Sequence, residues 1–365
     1  MKKTGMKMAA WLTALCVGGA ALTACGGAKP AETTAAPAET TAAAAAETTA
    51  APAETTAAPA ETAAETKAEA ETSAAEAEAA EEEEENYETG DASLDDPRNG
   101  DEIGEKELLV VSFGTSFNDS RRLTIGAVEE AMEKAFPDWS VRRGFTSQII
   151  IDHVKSRDGE VIDNVTEALE RAEKNGVKTL VVQPTHLMNG FEYTDLSKEL
   201  AGWADAFEKI AIGEPLLTSD DDFSRVADAL IDVTKEYDDG ETAICFMGHG
   251  TEAESNGVYA KMQEVLSGKG MEHYYVGTVE AEPSLEDVLE AVKKGSYKRV
   301  VLRPMMIVAG DHANNDMAGD EEDSWKSVFE GAGYEVVCVV EGLGGIPAVQ
   351  EILTEHAQAA VDSVK

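Results

Sequence analysis

The sequence predicts an α/β fold of two similar halves, each a parallel four-stranded sheet flanked by helices, facing one another across a cleft. Three observations carry this expectation. Short apolar runs alternate with amphipathic helical stretches beyond about residue 105, the pattern of a parallel sheet with helical crossovers. The runs fall into two sets of four with corresponding turn residues. Thr179-Leu-Val-Val-Gln-Pro-Thr-His-Leu-Met-Asn-Gly-Phe-Glu also shares its layout with the stretch from Arg303 to His312: strand, proline, apolar stretch, glycine, then a ligand-type residue, Glu192 in one copy and His312 in the other.

Taken in chain order, residues 1–24 read as a lipoprotein signal peptide. Lys2, Lys3 and Lys7 precede an apolar run from Met8 to Ala24, and Leu22-Thr23-Ala24-Cys25 resembles a lipobox, which makes Cys25 the expected lipidation site. The run is shorter than the ~20 apolar residues of a membrane span. Residues 25–104 read as the acylated cysteine followed by a disordered tether of Ala, Glu, Thr and Pro with almost no large apolar residues, unable to bury a core. About 70 such residues reach roughly 45–50 Å. The expected location is extracytoplasmic, lipid-anchored to a membrane, with a membrane transporter among the partners to consider.

Residues 105–238 and 239–365 are the two halves. The strands expected in the first are Glu107–Phe113, Ser140–Thr146, Thr179–Pro184 and Lys209–Glu214; in the second, Thr242–Met247, Glu272–Val279, Arg299–Pro304 and Glu335–Glu341. Between them lie amphipathic stretches such as Arg122–Phe136, Asp163–Asn175, Asp222–Glu236, Leu285–Lys294 and Ser324–Ala332, apolar at three- and four-residue spacing. Matched glycines stand 136, 133 and 120 residues apart (Gly114 and Gly250, Gly144 and Gly277, Gly190 and Gly310), a drift expected of an old duplication. Cys245 and Cys338 each sit inside an apolar strand pattern, which predicts buried thiols, with a bridge between them as the alternative.

The halves differ where polar chemistry was placed. Phe113 corresponds to His249, Ser147 to Glu280 and Glu192 to His312, so three strand ends of the second half carry His, Glu and His. Ligands of open α/β sheets gather at the carboxyl ends of strands. Two imidazoles and a carboxylate suit a borderline divalent ion such as Co²⁺, Fe²⁺ or Ni²⁺, with coordination positions left open. The glycines flanking His249 let the chain turn sharply and a planar ligand approach closely. Asp311 is expected either to orient His312 or to cap the following helix, and the acidic run Asp316, Asp320, Glu321, Glu322 and Asp323 to charge the first turn of the helix around Trp325, with passage of metal toward the cleft as the alternative.

Val111-Ser-Phe-Gly-Thr-Ser, His186-Leu-Met-Asn-Gly-Phe-Glu-Tyr, Phe246-Met-Gly-His-Gly, Val276-Gly-Thr-Val-Glu and Val308-Ala-Gly-Asp-His-Ala-Asn-Asn-Asp resemble the anaerobic cobalt chelatases, the CbiK type of sirohydrochlorin cobaltochelatase, over essentially all of residues 105–365. The resemblance implies two flavodoxin-like halves around a cleft, no organic cofactor, Co²⁺ as the substrate metal with Fe²⁺ or Ni²⁺ as alternatives, and a tetrapyrrole substrate. It implies that His249 and His312 are catalytic and, with Glu280, hold the metal, and that Glu192 lines the same cleft. Metallation removes two pyrrole protons and needs a partly desolvated ion, tasks open to neutral histidine and blocked by its protonation. His186 is expected at the cleft or buried as a structural residue. Arg143 and Arg303, at strand ends, are expected to meet substrate carboxylates, with simple solvation as the alternative. A binding lipoprotein that passes metal, haem or a corrinoid to a membrane uptake system without turnover is the competing function.

A net charge of −41, some −28 of it beyond residue 100, makes nucleic acid and anionic lipid surfaces poor partners and attracts cations. Nucleotide-binding glycine loops, a His-Glu-x-x-His run and a Gly-x-Ser-x-Gly elbow are missing from the sequence. Self-association into a homo-oligomer is left open.

Overall fold

Eight strands build two all-parallel sheets with the same order twice. β1 (Lys106–Ser112), β2 (Ser140–Phe145), β3 (Thr179–Pro184) and β4 (Lys209–Ile212) run β2-β1-β3-β4; β5 (Thr242–Gly248), β6 (Tyr274–Thr278), β7 (Arg299–Pro304) and β8 (Glu335–Cys338) run β6-β5-β7-β8. The computed structural model describes residues 89–101 and 103–365; the signal segment, Cys25 and the tether as far as residue 88 lie outside the described residues.

The central strands are covered on both faces, so their sequences are apolar without alternation: every residue of β5 is buried, and every residue of β1 after Lys106. The edge strands β4 and β8 stop two and three residues short of the expected ends, with their last ladder pairs at Val182–Ile212 and Leu302–Cys338. Leu302 pairs with Cys245 on one side and Cys338 on the other. The two thiols therefore stand two strand spacings apart, roughly 9–10 Å, beyond the span of a disulfide, and both are free.

Packing does not follow the chain-order division at residue 238. The C-terminal helix Pro347–Ser363 lies on β3, β4 and the helix Ala127–Ala135 of the first half. Helix Asp220–Thr234, the last of the first half, packs against helix Gly257–Gly268 of the second, and its Thr234 hydroxyl lies 2.9 Å from the Tyr274 hydroxyl in β6. One apolar core thus runs through both halves, with Leu230, Tyr259 and Leu353 among its buried members.

The folded unit also begins earlier than the expected tether end at residue 104. Asp95 accepts from Arg121 Nε (2.7 Å) and Arg143 Nη1 (2.6 Å), while the buried Glu129 accepts from Arg143 Nε and Nη2 (2.8 and 2.7 Å) and from Arg98 Nε (2.8 Å). Removing one partner from such a buried network costs about 3–5 kcal/mol, which ties residues 89–101 to the domain. It also corrects the expectation for Arg143: the side chain is fully buried, its donors engaged by Asp95 and Glu129, and it is absent from the cleft lining.

Candidate metal centre and its cleft

A cleft of about 760 Å³ opens between the halves at the carboxyl ends of their strands. The first half contributes Phe113, Thr115 and Ser116 after β1, Thr146 and Ser147 after β2, and Glu192; the second contributes His249 after β5, Glu280 after β6, and Met306, Val308 and His312 after β7.

His249, Glu280 and His312 converge. One ligand atom from each lies within 4.8 Å of the others, and the two imidazoles meet edge to face with centroids 4.7 Å apart. The His249 and Glu280 loops are tied by backbone bonds, since Val279 N and Glu280 N donate to the His249 carbonyl at 3.1 and 2.9 Å. His249 Nδ1 lies 2.9 Å from the Gly250 carbonyl and 3.4 Å from Glu280 Oε2. A proton on Nδ1 satisfies that carbonyl and leaves Nε2 as the lone-pair donor.

Of the two roles expected of the glycines around His249, the sharp turn is present, with Gly250 in the left-handed region, but protein rather than a ligand occupies the space beside both. A Cβ on Gly248 would stand 2.1 Å from the Tyr259 ring, and one on Gly250, at φ +96°, 2.8 Å from the Ala281 backbone nitrogen. They admit neighbouring protein to close contact, fixing the His249 loop against Tyr259 and the residue after Glu280.

His312 stands at the start of a π-helical turn, Ala313–Met317. Its loop is pinned to the first half, with Ala309 N donating to Ser120 Oγ at 2.9 Å. Asp316, one position past a full helical turn, lies 2.7 Å from His312 Nδ1, while Asp311 accepts from Asn315 Nδ2 at 2.6 Å. The carboxylate that orients His312 is therefore Asp316 rather than Asp311. Burial works to lower the pKa of His312, but the hydrogen bond and charge of Asp316, with Glu280 and Asp311, outweigh it and the net shift is upward. The rest of the acidic run precedes Ser324, the N-cap of helix Trp325–Gly331, so it does not form that helix's first turn. Asp311, His312 and Asp316 make a second group of close ligand atoms sharing His312.

Glu192 opens the helix Phe191–Gly202 and faces the cleft with its side chain 48% exposed, and the cleft walls about it push its carboxyl up to about 7 through desolvation, against the solvent that reaches it. His186 stands behind it, Nε2 3.4 Å from Glu192 Oε2, with neither ring nitrogen hydrogen-bonded and its pKa lowered to about 4 by burial. His186 is 7% exposed and off the cleft lining, so it takes the structural place of its two expected ones. Arg303 is buried away from the cleft, in the wall of a second cavity. No Lys or Arg is among the described residues lining the cleft. Phe113, the counterpart of His249 and not among the expected site residues, leaves 49% of its surface open there. The other histidines lie outside the cleft: His273 against Asp238, His356 against Asp222, and His153 on helix Gln148–Asp158.

Residues 106–362 match the family model for cobalt chelatase (CbiK). The chain is 34% identical over 258 residues to the sirohydrochlorin cobaltochelatase of Salmonella typhimurium, covering 71% of this chain and 97% of that protein. It is 29% identical over 262 residues to sirohydrochlorin cobaltochelatase CbiKC of Nitratidesulfovibrio vulgaris, covering 71% and 92%. The solved structure of SirB from Bacillus subtilis with Fe³⁺ shares the fold, with a TM-score of 0.52 at 12% identity over 71% of this chain and 97% of that one. With its sheet order repeated and its family motifs gathered at one cleft, the chain belongs to the cobalt chelatase (CbiK) family.

Proposed function

We propose that the chain inserts Co²⁺ into sirohydrochlorin, with His249, Glu280 and His312 holding the incoming ion and the histidines and Glu192 taking the pyrrole protons. The convergence of the three ligand atoms within 4.8 Å on one wall of a 760 Å³ cleft carries the reading. Three protein ligands leave positions open for the macrocycle nitrogens, and the same set accommodates Fe²⁺ or Ni²⁺. Phe113 offers an aromatic face for the ring. With no Lys or Arg among the described residues lining the cleft, the substrate's carboxylates meet hydroxyl and amide donors and the first turns of helices Gln148–Asp158 and Val165–Lys174, whose free N–H groups and dipoles favour anions.

The test is anaerobic absorbance of sirohydrochlorin with Co²⁺ or Fe²⁺, with His249→Ala and His312→Ala alongside. Multiple turnovers in wild type, lost in both variants, are expected. Stoichiometric binding with no acceleration over the uncatalysed reaction would instead make the chain a metal or tetrapyrrole carrier. The Leu-Thr-Ala-Cys25 signal supports a lipid-anchored, extracytoplasmic setting for this chemistry, and mass spectrometry of the mature amino terminus tests it.

A further inference from the structure

A second cavity, of about 550 Å³, lies behind the loop that carries His312. Ala309 and Asn314 face this cavity, whereas Gly310, Asp311 and His312 between them face the cleft, so one short loop separates the two. Much of its wall is apolar, and Leu123 and Val340 remain 53% and 36% exposed along it.

Set into this wall is Arg303, only 2% exposed. Its Nε has no hydrogen-bond partner, and its one ion pair among the described residues runs from Nη2 to Glu341 Oε2 at 3.2 Å, a carboxylate whose side chain is itself 70% exposed. Asp119, the other acidic residue of the wall, is held by Arg122 Nη2 at 3.1 Å. Burying a guanidinium this deeply is unfavourable unless its donors are met.

The first half fills the same position with an uncharged side chain. Gln183, the counterpart of Arg303, is buried and neutral; its Nε2 donates to the Pro184 and Glu214 carbonyls at 2.8 and 2.9 Å, while its Oε1 has no hydrogen-bond partner among the described residues. It fills its space so fully that a Cβ on Gly213 would stand 1.9 Å from its Oε1. The second half instead has a cation short of acceptors beside open, partly apolar space.

We propose that this cavity binds a small carboxylate with an apolar body, whose carboxylate displaces Glu341 to form a two-pronged pair with Arg303 while its hydrocarbon lies along Leu123 and Val340. The volume is within the usual range for small-molecule sites.

The test is calorimetric titration of the full chain with octanoate, beside 1-octanol and inorganic phosphate, in wild type, Arg303→Met, Glu341→Gln and His249→Ala. Octanoate is expected to bind one per chain, several-fold tighter in Glu341→Gln where the competing charge is gone, at least ten-fold weaker in Arg303→Met, and unchanged in His249→Ala; octanol and phosphate bind far more weakly. Since Glu341 is exposed, its variant keeps the fold and tests the site even if Arg303→Met does not fold. Octanoate that fails to bind both wild type and Glu341→Gln, that ignores the Glu341 change, or that is matched by phosphate overturns the proposal.

Discussion

Asp316→Asn separates the charge of the carboxylate beside His312 from its shape. The native oxygen lies 2.7 Å from His312 Nδ1. An asparagine oxygen in that place still accepts from Nδ1–H, so the ring keeps its tautomer and direction and only the negative charge is lost. Ligand histidines depend on such partners for basicity, and their removal typically costs 10–100-fold in metal affinity. Side-chain exposures of 32% for His312 and 42% for Asp316 admit water and salt and place this case near ten-fold, about 1.4 kcal/mol, at pH 8 and low ionic strength. The sign changes with acid. Burial opposes but does not cancel the raising of His312's pKa by Asp316, so in wild type Co²⁺ competes with a tightly held proton as pH falls. The variant releases that proton at lower pH, and its deficit narrows towards pH 6. Anaerobic Co²⁺ titrations at pH 6, 7 and 8, followed by visible absorption with circular dichroism to check the fold, measure the ratio. Equal affinities at all three values, or a deficit that widens in acid, would refute the assignment of Asp316 to the metal centre.

Glu192→Gln should leave Co²⁺ affinity within about two-fold, because Glu192 is outside the converging triad, while turnover drops by roughly 10²–10⁴-fold, the usual weight of a lost general base. In wild type the carboxyl, pushed up to about 7, is protonated and idle in acid, so its ionisation adds to the rise of activity with pH beside that of His312; at saturating Co²⁺, which suppresses proton competition at the histidines, the rise through 7 should weaken in the variant, and an unchanged pH profile would remove Glu192 from proton transfer. Glu107, 2% exposed, is raised to about 7, chiefly by burial with Arg142 opposing. Between its unfolded value near 4.5 and 7 the folded state binds the extra proton, so stability falls as pH rises through that window. Glu107→Gln should therefore be up to about 3 kcal/mol more favourable at pH 8 than at pH 4.5 by urea unfolding; the same effect at both values would show that Glu107 stays ionised in the fold.

What could be read from the sequence follows from how local each signal is. β3 and β7 begin and end at the expected residues, because each is a three-residue apolar run followed by one polar residue and a proline. The corresponding strand ends also place His249, Glu280 and His312 at one cleft, since parallel strands of matched order deliver their carboxyl ends to the same side. Information carried by distant partners was hidden. Arg143 at a strand end looks the same whether it faces substrate or Asp95 and Glu129, and Asp95 itself sits in a stretch too polar to suggest a fold. The flanks of His249 signalled an unusual backbone, but that Tyr259 and Ala281 occupy the space depends on residues 11 positions from Gly248 and 31 from Gly250. Asp316 stands four residues after His312, a helical spacing, yet within an acidic run it was indistinguishable from a solvated carboxylate.

The separation of Cys245 and Cys338 by the width of Leu302's strand has a practical side. Chelatase assays hold Co²⁺ and Fe²⁺ in their reduced states with strong reductants, conditions that dismantle proteins stapled by disulfides. Here the described fold has no such staple to lose, and burial raises the pKa of both thiols, which disfavours their thiolates and slows thiol exchange. Unfolding curves and metal titrations taken in dithionite therefore report on the same molecule as those taken without it.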